Sequence, residues 1–124
     1  MSDSPTDVVR RFCDTWSTGD VDAIVAYFTD DAVYHNIPME AVTGTEAIRA
    51  FIDGFAGNID KVEFRVENIA ANGNVVLTER VDIFTMPGKT IELPVMGTFE
   101  VREGKIAAWR DYFDLNQFMS EMPS

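Results

Sequence analysis

The chain of 124 residues has one cysteine, Cys13, and one histidine, His35. A lone thiol excludes an internal disulfide, and one residue of each kind excludes a Cys/His zinc site. Serine is confined to the two ends of the chain, and no Gly-x-Ser-x-Gly turn exists to present a nucleophile. A glycine-rich phosphate loop is absent as well. Basic residues are few: 10 Lys and Arg face 21 Asp and Glu, for a net charge of −11. That excess repels phosphate backbones and anionic lipid, which argues against nucleic acid or a membrane surface as partner. No apolar run approaches the length of a membrane span. The opening "MSDSPTDVVRRF" lacks a basic region followed by an apolar one, so no secretory signal is visible. The expectation is a soluble protein in the reducing cytoplasm.

What is present suits one compact domain over residues 1–124. Apolar residues make up 46% of the chain, and folding at this size hides roughly two thirds of the unfolded surface. "SPTDVVRRFCDTWSTGD" reads as a helix with Ser4 as N-cap and Pro5 at its first position. Val8, Val9, Phe12, Cys13 and Trp16 form its apolar stripe. Gly19 ends that helix, and Asp20 caps a short second one carrying Ile24, Val25 and Phe28. "FTDDAVYHNIPM" is a turn and a short strand stopped near Pro38. A third helix follows, with Thr45 as candidate cap and Ile48, Phe51, Ile52 and Phe55 facing inward.

From Lys61 the period changes from helical to alternating. "KVEFRVEN", "VVLTERVDIFT", "TIELPVMGTFEVR" and "IAAWRDYFD" read as strands. They are separated by turn signals at Asn72-Gly73, "MPGK" and "EGK", and "LNQFMSEM" closes the chain as a short helix or tail. Helices segregated from an antiparallel meander predict an α+β fold. Its curved antiparallel sheet forms a cone, with the N-terminal helices packed over the concave face.

Three segments carry candidate chemistry. In "TERVDIF", Arg80 and Asp82 fall on one side of a strand with Val76, Thr78 and Phe84. Val75, Leu77, Glu79, Val81 and Ile83 fall on the other. Two readings stay open for this strand: a solvated Arg80 and Asp82, or a pair aimed into a pocket. Both rows are largely apolar, so both faces require cover. The helices meet one, and a second subunit is expected on the other, making a homodimer through the outer face of the sheet. In "AAWRDYFD", alternation puts Asp111 in an apolar row with Ala107, Trp109 and Phe113. A buried carboxylate needs a partner, and Arg80 is available to bridge Asp111 and Asp82. Two close carboxylates in a dry pocket titrate apart, so one serves as base and the other as acid. In "VYHNIP", Tyr34 and Asn36 share a face and His35 points away. Tyr34 and Asn36 either bind a water or fill ordinary strand and turn positions. Cys13 is read as a small buried hydrophobe. Met39, Met86 and Met96 are pocket liners or core filler. Arg80 between the carboxylates would compete with a cation, so neither a metal nor a cofactor is expected.

The blocks "VYHNIPM", "LTERVDIF" and "PVMGTFEVREGKIAAWRDYFDL" together resemble the limonene-1,2-epoxide hydrolase family, over nearly the whole chain. The resemblance implies the cone-shaped fold of the nuclear-transport-factor-2-like superfamily and a dimer. It implies that Asp111 activates water held by Tyr34 and Asn36. It also implies that protonated Asp82 donates to the epoxide oxygen and that Arg80 bridges both aspartates. The implied partners are a small apolar epoxide and water, and the implied product is a vicinal diol, formed in one step without a covalent intermediate. Limonene oxide itself is not implied, because the residues shaping the pocket need not match. The competing readings are a ketosteroid-isomerase-like or polyketide-cyclase-like enzyme, and a non-catalytic small-ligand module, on the same fold.

Overall fold

The computed structural model describes residues 4–57 and 59–121. The outer ends of the 1–124 span lie outside these residues, as does Met122 of the closing segment. Helix α1 runs Pro5–Thr15, with Ser4 accepting from the Asp7 amide at 3.1 Å. A turn of tighter helix, Trp16–Thr18, ends at Gly19 with φ 72°, a left-handed value that a side chain would oppose. Asp20 caps α2 (Val21–Val25) through the Ala23 amide. Phe28 is not part of α2: it opens strand β1 (Phe28–Asn36). A short β2 (Val42–Thr43) leads into α3 (Thr45–Ala56). Thr45 is not the cap. Gly44 takes that place at φ 90°, and Thr45 is already helical.

Four long strands follow: β3 (Lys61–Asn72), β4 (Val75–Met86), β5 (Lys89–Arg102) and β6 (Lys105–Tyr112), then α4 (Leu115–Glu121). The β3–β4 turn residues are Gly73 and Asn74, one position later than the Asn-Gly signal, because Asn72 pairs with Val75. In the last hairpin, Glu103 and Gly104 both have positive φ, the twist that suits tight hairpins. The curved sheet is ordered β2-β1-β6-β5-β4-β3 and does not close.

Its pairings are antiparallel except β1 with β6, which run parallel. No hairpin joins those two strands, so their relative direction is free of the turn constraint that fixes the others. Pro94 sits in β5, a strand with neighbours on both sides. It is tolerated because β6 pairs with β5 only from Met96 onward, leaving the proline on an open stretch.

The helices cover one face of the sheet. Phe12 of α1 meets Trp16, Tyr27, Phe28, Phe99 and Trp109 edge to face at 5.0–6.2 Å, and such pairs add to the area they bury. On the opposite face of the sheet, Leu77, Met96 and Tyr112 are exposed. Among the described residues no helix is long and apolar enough to cross a membrane. Phe12→Ala is expected to lower stability by about 3–5 kcal/mol in urea unfolding. A loss below ~1 kcal/mol would mean that the core is not centred on this ring.

Candidate active site

Strand pairing lays the polar residues in one row. Asn36 of β1 lies beside Asp111 of β6, Asp111 beside Gly97 of β5, and Gly97 beside Thr78 of β4. A second row, Tyr34, Trp109, Phe99 and Val76, runs alongside. Arg80 and Asp82 follow Thr78 at two-residue steps on the same face of β4, and all three are buried. This resolves the ambiguity of that strand: Arg80 and Asp82 face inward, and Leu77 and Glu79 face out. Ala107 leaves the row expected for it. A bulge between the Ala108 and Ile106 pairings turns Ile106 into the core, while Trp109 and Asp111 keep their inward aim.

Arg80 is 1% exposed, Asp82 4% and Asp111 3%. Arginine carries five N–H donors in a fixed fork, and each has an acceptor. Nε donates to Asp82 Oδ1 at 2.9 Å and Nη2 to Asp82 Oδ2 at 2.9 Å. Nη2 also donates to Asp111 Oδ2 at 2.8 Å, and Nη1 to Asp111 Oδ1 at 3.1 Å. The remaining Nη1 hydrogen goes to Thr78 Oγ1 at 3.1 Å. Trp109 Nε1 donates to Asp111 Oδ1 at 2.7 Å. The Phe64 ring lies under the guanidinium, 4.7 Å from its carbon, and adds a cation–π attraction.

Burial pushes the Asp82 carboxyl up to about 6; Arg80 opposes that shift and the Asp111 charge adds to it. Burial also works against the Arg80 cation, but Asp111 and Asp82 more than offset it and hold it well above its ordinary value. Tyr34 is raised by burial first and then by the Asp111 charge, so its phenol keeps its proton. Its ring stacks on Trp109 at 4.2 Å and 9°, and its hydroxyl donates to Asn36 Oδ1 at 3.4 Å.

Part of this cluster borders a cavity that opens to solvent. Asp82, Asp111, Asn36 and Tyr34 line it, and most of the remaining wall is apolar or aromatic, including Phe51, Phe55, Phe84, Phe113 and Phe118. The five residues singled out from the sequence therefore come together. His35 does not join them: its ring pairs with the Met39 carbonyl at 2.9 Å. Met39 lines the cavity, Met86 is in the core and Met96 is exposed. Cys13 is buried, and burial pushes its thiol up to about 12, which leaves it unreactive. Asp114 caps α4 through the Gln117 amide and lies outside the cluster.

Three participants were not singled out from the sequence. Trp109 was legible as an apolar neighbour but not as a donor. Thr78 was visible as a hydroxyl in the inward row. Gly97, alone inside a strand pattern, is the kind of position that marks close backbone approach.

The model of the limonene-1,2-epoxide hydrolase catalytic domain matches residues 3–124. Epoxide hydrolase EphG of Mycobacterium tuberculosis is 33% identical over 107 residues, spanning 86% of this chain and 71% of that protein. The structure of an M. tuberculosis LEH-like epoxide hydrolase superposes with a TM-score of 0.83 at 30% identity, covering 94% of this chain and 87% of that one. A hypothetical protein from Catenulispora acidiphila with a ketosteroid isomerase-like fold reaches a TM-score of 0.83 at 20% identity, over 96% and 93% of the two chains; that likeness is one of fold alone. The chain belongs to the limonene-1,2-epoxide hydrolase family, and this membership supports epoxide hydrolysis as its class of activity.

The raised Asp82 has a consequence for stability. Between the ordinary aspartate value and about 6, the folded chain keeps a proton that the unfolded chain has lost. Stability from this group therefore falls as pH rises through that window. Urea titrations of the wild type against Asp82→Asn are expected to show the wild type losing ground from about pH 4 to about pH 6. An advantage that instead grows with pH would contradict the raised value.

Proposed function

We propose that this protein hydrolyses small apolar epoxides to vicinal diols in one step, by concerted general acid and base catalysis. Asp111 is the base. Its Oδ1 already accepts from both Trp109 and Arg80, whereas Oδ2 accepts from Arg80 Nη2 alone. Oδ2 is the oxygen with capacity left for a water proton. Tyr34 and Asn36 hold that water beside Asp111. Asp82 is the acid.

The observation that carries this assignment is the saturation of Arg80. With all its N–H groups taken by Asp82, Asp111 and Thr78, it has none for a substrate oxygen. Arg80 fixes both carboxylates, and the proton for the leaving oxygen falls to Asp82.

The steps balance. Water oxygen forms a bond to one ring carbon as that carbon's bond to the epoxide oxygen breaks. One water proton passes to Asp111, and the Asp82 proton passes to the epoxide oxygen. The diol leaves with Asp111 protonated and Asp82 ionised, and solvent returns the proton between them. Each such proton transfer is worth roughly 10²–10⁴ in rate, and holding the water in line adds an orientation gain. No cofactor or metal is invoked, because the two aspartates supply both transfers. A covalent ester route would need a second base, and His35 is not among the residues lining the cavity. The likeness to a ketosteroid isomerase-like fold is one of fold alone; it fits the rival reading without outweighing the family membership. We place the reaction in the cytoplasm. A second copy of the chain is proposed to cover the outer face of the sheet around Leu77, Met96 and Tyr112.

The test is a single turnover of cyclic and aryl epoxides in ¹⁸O-labelled water. Label in the first-turnover diol is the expected result. Its absence would indicate an ester intermediate, and no diol from any epoxide would remove the assignment. Asp111→Asn is expected to abolish turnover and keep the fold. The pH profile of kcat/KM is expected to fall above about pH 6, where Asp82 loses its proton. A profile flat through that point would remove Asp82 as the acid.

A further inference from the structure

The row Asn36, Asp111, Gly97, Thr78 ends in two residues that take no part in the proton transfers. We propose that Thr78 and Gly97 are the seat of the Arg80 guanidinium: Thr78 is a positioning residue that binds its last N–H, and Gly97 is the gap through which the cation reaches Asp111. Only the kinetic consequence of this seat rests on the hydrolase reading.

Strands β4 and β6 are separated by β5, so their backbones stand about 10 Å apart. Arg80 and Asp111 can meet only by crossing over the strand between them. Gly97 is the β5 residue at that crossing, paired with Thr78 on one side and Asp111 on the other. Its φ is not in the left-handed region, so the backbone would accept another residue there. The space would not. A Cβ at this position would fall on Arg80 Nη1, 2.6 Å from Asp111 Oδ1 and 3.0 Å from Thr78 Oγ1.

Thr78 is fully buried and is not among the residues lining the cavity. Its hydroxyl accepts from Arg80 Nη1 at 3.1 Å and donates toward the Gly97 carbonyl at 3.4 Å. Remove that acceptor, and a charged N–H is left facing aliphatic surface, a costly state inside a protein. Asp111 Oδ1, the other acceptor of Nη1, already takes Trp109 Nε1 as well. The guanidinium would lose its hold on that side, and both aspartates bonded to it would shift with it. The functional motif on β4 thus begins at Thr78, two residues before Arg80.

The experiment compares Thr78→Val, which keeps the shape, with Thr78→Ser, which keeps the acceptor, and adds Gly97→Ala. The first readout is ¹⁵N-edited NMR of the Arg80 side chain, which needs no substrate. In the wild type the Nη hydrogens are expected to be individually resolved, because every one is held. Thr78→Val is expected to merge or broaden the Nη1 pair, and Thr78→Ser to restore it. Gly97→Ala is expected to shift the same resonances, and it tests the seat even if Thr78→Val does not fold. The second readout is hydrolysis of a cyclic epoxide. In Thr78→Val, kcat is expected to drop on the order of tenfold or more with KM unchanged, and Thr78→Ser is expected to recover it.

An unaltered Nη1 signature in Thr78→Val or Gly97→Ala overturns the seat, as does an equal loss of kcat in the Val and Ser variants. If the wild type opens no epoxide while Thr78→Val still frees the Nη1 pair, the hydrolase reading fails and the seat stands. If epoxides are opened and the Arg80 resonances ignore Thr78, the seat fails and the reading stands.

Discussion

A guanidinium cut off from water must find every acceptor it needs within the protein, and Arg80 imposes that demand on the strands around it. Removing an ion from water costs several kcal/mol even after relaxation, so a buried arginine with one idle N–H would be a standing penalty. Here two carboxylates and a hydroxyl satisfy the whole fork. Two aspartates against one cation, however, leave a surplus negative charge in a dry cavity. The least costly remedy is a proton on one of them. Asp82 is the group that burial raises to about 6. The proposed acid is therefore a by-product of the electrostatics of burial, with no separate device to create it.

The core and the site share their atoms. Trp109 packs against Phe12, Phe99 and Tyr34 in the centre of the protein while its indole N–H fixes one oxygen of Asp111. Phe64 stacks on Trp16 and also lies beneath Arg80. Packing that is rigid for reasons of stability thus also holds the carboxylates in place, which is the preorganisation the proposed proton transfers need. The apolar remainder of the cavity wall offers few polar groups away from the aspartate end.

Features that depend on local chemistry were legible in the sequence. Ser4 and Asp20 cap their helices because a side-chain oxygen two or three residues from a free amide has little else to do. Alternation put Arg80 and Asp82 together on β4, and Asp111 with Trp109 on β6. Which face of β4 points inward was not legible from β4 alone, since both of its rows are apolar; the apolar row around Asp111 was what tipped the choice. Non-local features escaped. The parallel meeting of β1 and β6 joins segments far apart in the chain. The bulge at Ala107 breaks a period that the residues themselves do not announce. Gly44 displaced Thr45 as a cap because the turn there needs positive φ. Gly97 carried a signal, a glycine in mid-strand, whose meaning depends on side chains from two other strands.

The central claim is that the two aspartates flanking Arg80 hold one proton between them and that Asp82 carries it. Neutron diffraction from deuterated crystals at about pH 5, below the value to which burial pushes Asp82, locates that proton directly. The account predicts deuterium on an Asp82 carboxyl oxygen and none on Asp111. Deuterium on Asp111, or two bare carboxylates flanking Arg80, would contradict it.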